Sequence, residues 1–469
     1  MKLQDTLTNS EKILGITKEI RIYLCGVTVY DESHIGHART IIVFDVLRRY
    51  LESKDIEVVF IQNFTDVDDK IINRAELENK TADEISSKYI EHYFNDFDGL
   101  NVKRATNYPK ATDHIEDIQE FIQKLIDKKI AYVSKNGVYF SVSKFPDYGK
   151  LSKKKTDELK SGARIEIDEA KSDPLDFALW KFSEKDPKWD SPWGKGRPGW
   201  HIECSAMSIK YLGEDFDIHG GGRDLIFPHH ENEIAQSESF TEKQFAKIWM
   251  HVGMVTINGE KMSKSLGNIK SIKHVLANWG ANVIRLFCLS GHYSKPIDYS
   301  ENLLKENLTK WRQIETCYYE LVHANNDSQN KELTAFVENL GKDFDTALDQ
   351  DFNTHSALLA FFSLVKETNR LAADELLGKK ESMKIKAEFQ RMLGILGLKI
   401  PEITIREKNQ IDNMIITREK LREEKQFEDA DKIRSQLNAL NVELIDHKQK
   451  TIWMKKEKII ADIREDSFS

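Results

Sequence analysis

Glu19-Ile20-Arg21-Ile22-Tyr23-Leu24-Cys25-Gly26 is the stretch that decides the fold. It is short, apolar and rich in strand-favouring side chains, and it ends in a glycine. A turn containing Asp31, Glu32 and Ser33 follows, and the periodicity then becomes helical. Ile35, Ile42, Val46, Leu47, Tyr50 and Leu51 fall on one side of a helix ending near Lys54. Glu57-Val58-Val59-Phe60-Ile61-Gln62-Asn63-Phe64 then reads as a second buried strand. Strand, glycine turn, helix, strand is a βαβ unit, so an α/β fold with a parallel sheet is expected, with ligands at the carboxyl ends of its strands.

Outward from this unit the regularity breaks between about Lys110 and Trp189. Short β-like pieces such as Gly137-Val138-Tyr139-Phe140-Ser141-Val142 and the lysine run Lys153-Lys154-Lys155 predict an insertion into the nucleotide-binding fold. The α/β pattern returns from Gly199 to about Met254. Helices are expected at Leu303 to His323, Lys331 to Leu348, Ser356 to Ala373 and Met383 to Leu396. Pro401 marks a boundary, beyond which lies a small, highly charged module.

Composition bounds the class. The 469 residues are 40% hydrophobic and 31% charged, and no stretch has the uninterrupted apolar length of a membrane span. Met1-Lys2-Leu3-Gln4-Asp5 has no apolar run, so no signal peptide and a cytoplasmic location are expected. The net charge of -8 weighs weakly against nucleic acid, because binding depends on where basic groups cluster. Four cysteines in a chain of this kind read as free thiols or metal ligands rather than disulfides. Cys288 and Cys317 sit in helical patterns and read as core residues.

Three patterns carry chemistry. His34-Ile35-Gly36-His37 stands where a turn enters a helix, and free N–H groups and the helix dipole there favour an anion. The two histidines, three apart, can donate to phosphates, and Gly36 allows close approach. Lys261-Met262-Ser263-Lys264-Ser265 forms a cationic loop suited to the charge that grows on departing pyrophosphate. The third pattern is dispersed. Cys25 ends the first strand beside the nucleotide turn, and Cys204 follows Pro198-Gly199-Trp200-His201-Ile202-Glu203. In Pro228-His229-His230-Glu231-Asn232-Glu233, His229 and Glu233 are four apart and share a helix face. Two sulfurs, one imidazole and one carboxylate suit zinc, with His230 a competing imidazole at the less favourable spacing of three.

The pairing of the histidine and lysine motifs resembles the signature of class I aminoacyl-tRNA synthetases. Tyr23-Leu24-Cys25-Gly26-Val27-Thr28-Val29-Tyr30-Asp31, Gly199-Trp200-His201-Ile202-Glu203-Cys204-Ser205-Ala206-Met207, the run from His219 to Glu233, and Asp351-Phe352-Asn353-Thr354 resemble the cysteinyl-tRNA synthetase family. The resemblance implies a Rossmann-type catalytic domain with an insertion, an α-helical bundle and a C-terminal anticodon-binding module. The expected boundaries are 1–109 and 191–254 for the two catalytic halves and 110–190 for the connective insertion. Residues 255–302 form the lysine-loop and stem-contact region, 303–400 the bundle and 401–469 the terminal module.

By the same resemblance one zinc ion is held by Cys25, Cys204, His229 and Glu233 and binds the substrate thiolate, which favours His229 over His230. Gly26, Thr65 and Trp200 line the cysteine pocket. His34, His37, Lys261 and Lys264 are the catalytic and ATP-binding residues, and Asp224 contacts the ribose. The implied partners are L-cysteine, ATP as its magnesium complex and tRNA(Cys), with no membrane and a monomeric chain. Trp453, Asp446, Lys448 and Lys450 are the expected tRNA contacts, Trp453 serving as a stacking platform in a basic patch. Lys450 departs from the glycine usual at that point of the family. The competing reading is a ligase joining activated cysteine to an amino sugar, as in the mycothiol pathway; a non-catalytic relative would have lost motif residues that this chain keeps.

Overall fold

The structure is a computed structural model and describes residues 1–15, 17–155, 170–262, 267–324, 331–447 and 451–461. Along the chain, the strands of the catalytic half are β1 (Lys2–Asp5), β2 (Ser10–Ile13), β3 (Glu19–Thr28), β4 (Glu57–Thr65), β5 (Ala131–Ser134), β6 (Gly137–Phe140), β7 (Phe177–Phe182), β8 (Gly196–Pro198), β9 (Phe216–Gly222) and β10 (Ala246–Val252). Its helices are α1 (Ile35–Glu52), α2 (Asp69–Glu78), α3 (Ala82–Gly99), α4 (Ile115–Asp127), α5 (Trp200–Leu212) and α6 (Glu231–Thr241).

Four strands form an all-parallel sheet in the order β10-β9-β3-β4. Strand β3 pairs with β4 on one side and β9 on the other, so the strand order reverses between β3 and β9. That is where an open α/β sheet leaves a crevice for ligands. Cys25 lies in β3, beside the irregularity in register between Leu24 and Val27. Helix α1 packs its apolar stripe on this sheet, with Ile35, Ile42, Val46 and Leu47 buried.

The hairpin β1–β2 is not marked in the sequence pattern. It is held by Asp5, a fully buried carboxylate that accepts the Trp249 N–H at 2.9 Å and pairs with Lys12 at 2.8 Å. The insertion forms an antiparallel sheet in the order β5-β6-β7-β8 over its own core of Ile118, Phe121, Val138, Phe140 and Trp180. Its last strand runs to Pro198, past the expected limit at residue 190.

The remaining strands are β11 (Val255–Ile257), β12 (Glu260–Lys261) and β13 (Ile297–Tyr299), which share one sheet, and the terminal hairpin β14 (Val442–Asp446) with β15 (Thr451–Lys455). The helices are α7 (Ile272–Leu289), α8 (Glu301–His323), α9 (Lys331–Asp349), α10 (Thr354–Ala373), α11 (Lys379–Ile395), α12 (Ile405–Glu423) and α13 (Phe427–Ala439). Cys288 and Cys317 are buried in the core on α7 and α8, and all four cysteines are free thiols. Asp351-Phe352-Asn353-Thr354 ties the bundle to the catalytic half. Asp351 accepts the Gln4 N–H and the Tyr293 hydroxyl, each at 2.8 Å, and Asn353 caps α10.

Candidate metal centre and nucleotide site

The metal-ligating atoms of Cys25, Cys204, His229 and Glu233 all lie within 4.8 Å of one another, and all four side chains are buried. They come from three pieces of backbone, His229 and Glu233 sharing one. Cys25 lies on β3, Cys204 in the second turn of α5, His229 just before α6 and Glu233 in its first turn. The two sulfurs are 3.7 Å apart, Cys25 Sγ is 3.3 Å from Glu233 Oε1, and His229 Nε2 is 3.0 Å from the same oxygen. A tetrahedron with Zn–S bonds of about 2.3 Å has an S–S edge of about 3.8 Å, so the donor set fits zinc in identity and size. A second set overlaps it: Cys25, His219, His230 and Glu233 also converge within 4.8 Å.

Charge is distributed as a metal site requires. Hydrogen bonding from Cys25 and His229 outweighs burial and draws the Cys204 thiol down to about 6. Burial and the neighbouring Cys204 push the Cys25 thiol well up. Burial lowers His229, but Glu233 and Cys204 overcome it and raise the imidazole to about 10. Burial would raise Glu233, yet His219 and His229 hold it well below the usual carboxylate range. A divalent ion bound here would have to displace the protons that the raised Cys25 thiol and His229 imidazole hold.

A layer of side chains that sequence reasoning did not single out supports the set. His201 Nδ1 is 2.9 Å from His229 Nδ1, which leaves His229 Nε2 for the ligand cluster. His219 Nε2 is 3.1 Å from Glu233 Oε2. His230 is joined instead to His251, 2.7 Å away, and His251 to Thr6 at 2.8 Å. An added Cβ on Gly221 would lie 2.7 Å from the His230 ring, so the glycine run of β9 makes room for these imidazoles. The signal for His201 and His219 was their place inside the two quoted runs, which says nothing about which atoms they hold.

The expected cysteine-pocket residues surround the same cluster. Gly26 donates its N–H to Asn63 Oδ1 at 2.9 Å, and a Cβ there would fall 1.5 Å from the Asn63 carbonyl oxygen. Thr65 closes β4 and donates its hydroxyl to Glu203 Oε2 at 2.9 Å. The Trp200 ring stacks on His229, with centroids 4.3 Å apart.

The histidine motif caps α1. His34 Nδ1 accepts the Gly36 N–H, and His37 Nδ1 accepts the His34 backbone N–H, with the two rings stacked at 3.7 Å. Both Nδ1 atoms being acceptors, each neutral ring carries its proton on Nε2 and can donate it. Burial and the adjacent His34 hold His37 well below the usual imidazole range. A Cβ on Gly36 would lie 3.3 Å from Met262 Cε, so the lysine loop comes up against the histidine motif. A cavity of about 490 Å³ runs from Asp31, Glu32 and His34 to Gly267, Lys270 and His274. Lys261 is exposed on β12, and Lys264 lies outside the described residues. Asp224 is exposed just beyond β9; a Cβ on Gly222 would lie 2.5 Å from its Oδ1.

The terminal module corrects one reading. Trp453 is 4% exposed; its Nε1–H donates to Asp412 at 2.8 Å and its ring packs against Tyr319 and His323. It is a core residue of the β14–β15 hairpin and not an open stacking platform. Around it, Lys455 donates to the Leu440 carbonyl and Lys456 pairs with Glu443. Among the described residues of the module the exposed aromatic ring is Phe427, 57% exposed at the start of α13. Asp446 accepts the Thr451 hydroxyl at 2.7 Å, while Lys448 and Lys450 lie outside the described residues.

Residues 13–309 match the family described as tRNA synthetases class I (C) catalytic domain, and residues 343–400 match the DALR domain. A methionyl-tRNA synthetase of Mycobacterium tuberculosis, solved with methionyl-adenylate, has the same fold at a TM-score of 0.62 and 14% identity, over 81% of this chain and 90% of that one. The parallel sheet, the capped histidine motif and these matches define a class I aminoacyl-tRNA synthetase. Curated proteins named Cysteine--tRNA ligase are similar over nearly the full length. That of Thermodesulfovibrio yellowstonii is 50% identical over 97% of this chain and 100% of its own. That of Caldicellulosiruptor saccharolyticus is 46% identical over 96% and 99%. The chain belongs to the cysteine--tRNA ligase family, and these relatives extend into the terminal module, which disfavours the amino-sugar ligase. Among the described residues no helix is long and apolar enough to cross a membrane.

Proposed function

We propose that the chain activates L-cysteine with ATP, as the magnesium complex, to cysteinyl-adenylate and transfers the acyl group to the 3′-terminal adenosine of tRNA(Cys). The observation that carries this reading is the convergence of Cys25, Cys204, His229 and Glu233 at the strand-order reversal, on the sheet whose crossover carries the capped His34–His37 pair. A zinc ion bound by those four side chains would supply a soft acceptor for the substrate thiolate, which a serine hydroxyl cannot match.

The chain's own groups would do the rest by positioning and charge. His34 and His37 donate their Nε2 protons to the ATP phosphates, Asp224 accepts from the ribose, and Lys261 with Lys264 neutralises the departing pyrophosphate. Gly26 admits the substrate close to β3, with Thr65 and Trp200 walling the pocket. No protein nucleophile is required, because the substrate carboxylate attacks the α-phosphorus directly. Residues 255–302 contact the acceptor side of the tRNA. The terminal module reads the anticodon through Asp446, Lys448, Lys450 and the open ring of Phe427. The protein works in the cytoplasm as a monomer. The test is ATP-dependent attachment of radiolabelled cysteine to a tRNA(Cys) transcript. Cysteine-dependent adenylate formation without any acyl transfer to that transcript would refute the second half of the reaction.

A further inference from the structure

The carboxyl group of Glu203 is buried inside the site and only half used. Glu203 lies in the first turn of α5 and is 0% exposed. Its Oε2 accepts the Thr65 hydroxyl at 2.9 Å, and its Oε1 is buried without a hydrogen-bond partner. Burial first, then the neighbouring Cys204, Asp66 and Asp68, all acidic, push its carboxyl well above the usual range against the Thr65 hydrogen bond. Asp66 is engaged by the N–H and hydroxyl of Thr112, and Asp68 caps α2 through the Lys70 N–H. That leaves Glu203 Oε1 as the open acceptor. Thr65, 2% exposed, spends its only proton on Glu203 and offers acceptor lone pairs alone. Among the described residues the Thr65 hydroxyl is the donor bonded to this carboxyl group, and its main ionisable neighbours are acidic, a costly state for a buried carboxyl group.

We infer that Glu203 reads the α-ammonium of the substrate amino acid, together with the Thr65 hydroxyl that it orients. The inference rests on the reading of Thr65 and Trp200 as pocket walls. An ammonium group brings three N–H donors and one positive charge, which suits an acidic corner with an open acceptor. Thiol capture and ammonium capture then fall to different side chains. A ligand with the thiol but no amine is held by the first alone, and Glu203 becomes a specificity residue for α-amino acids over other small thiols.

The test is calorimetric titration of zinc-loaded protein with L-cysteine, cysteamine and 3-mercaptopropionate, with zinc content measured on the same samples. Glu203→Gln keeps size and the acceptor for Thr65 but removes the carboxyl group that could pair with an ammonium. It should weaken cysteine and cysteamine by at least about tenfold, the loss of one charge-assisted hydrogen bond. Binding of 3-mercaptopropionate should be unchanged or tighter, and zinc content unchanged. Thr65→Val should follow the same pattern and Thr65→Ser should restore it, which keeps the test available if Glu203→Gln does not fold. Equal weakening of all three ligands, or no weakening of the two amines, would overturn the inference. Failure of the wild-type protein to bind any of the three thiols would instead sink the amino-acid pocket itself.

Discussion

Cys25 Sγ lies 3.7 Å from Cys204 Sγ, across 179 residues of sequence. One sulfur is carried by a parallel strand and the other by a helix that follows the whole insertion, so only the completed fold brings them together. Neither forms a disulfide. With His229 and Glu233 they make a donor set whose protons and charges are arranged for exchange with a divalent ion.

The two overlapping donor sets give different results on mutation. His229→Ala should leave purified protein substoichiometric in zinc. His219→Ala should keep zinc but weaken it by about 10- to 100-fold, because it removes the group that orients Glu233. Metal analysis after dialysis against a graded chelator distinguishes them, and the reverse pattern would move the ion to the His219–His230 side.

Gly26→Ala should cost stability and cysteine binding together. The added methyl group would sit 1.5 Å from the Asn63 carbonyl oxygen, so β3 or β4 must shift. Overpacking of this kind costs about 1–3 kcal/mol. Denaturant unfolding measures the first effect and the KM for cysteine the second.

Trp453 and Phe427 should separate stability from tRNA binding. Trp453→Ala removes a core side chain and should destabilise the protein by about 3–5 kcal/mol. Phe427→Ala should leave the melting temperature unchanged while raising the KM for tRNA, with ATP–pyrophosphate exchange unaffected. A stable Trp453→Ala protein would return the ring to the role of an open platform.

The junction of the terminal module with the bundle should weaken as pH rises. Glu315 accepts the Glu457 N–H at 2.8 Å, and burial pushes its carboxyl up to about 7 against the nearby Arg312. A folded pKa above the unfolded value of 4.5 means the folded state holds the proton more tightly. That stability is fully present below the unfolded value and is lost as pH rises through about 7. The melting temperature of Glu315→Gln relative to wild type should therefore climb between about pH 6 and about pH 8. A constant difference across that range would show that Glu315 does not titrate there.

How much was legible differs by element. The βαβ unit and the bundle helices announce themselves through periodicity: the expected Leu303 to His323 is observed as Glu301–His323, and Ser356 to Ala373 as Thr354–Ala373. The i, i+4 pair His229–Glu233 is a local signal and was readable. Its partners Cys25 and Cys204 were readable only as candidates, from their places beside the nucleotide turn and after the Pro198–Glu203 run, and resemblance had to firm up the set, since no spacing rule joins residues brought together by a sheet and an insertion. The hairpin β1–β2 was invisible because its register depends on Asp5 meeting the backbone of β10, a contact without a local pattern. Trp453 misled for a related reason: flanking lysines look like a solvated patch until the hairpin packs against the module and buries Ile452, Trp453 and Met454 together.

The central claim is that selection of the amino acid is made through its sulfur at this donor set. ATP–pyrophosphate exchange, run in parallel with cysteine and serine on protein of known zinc content, tests it directly. Cysteine should support exchange at close to one zinc per chain, with serine at least about a thousandfold slower. Comparable exchange with serine, or undiminished cysteine exchange after the metal is stripped, would contradict the account.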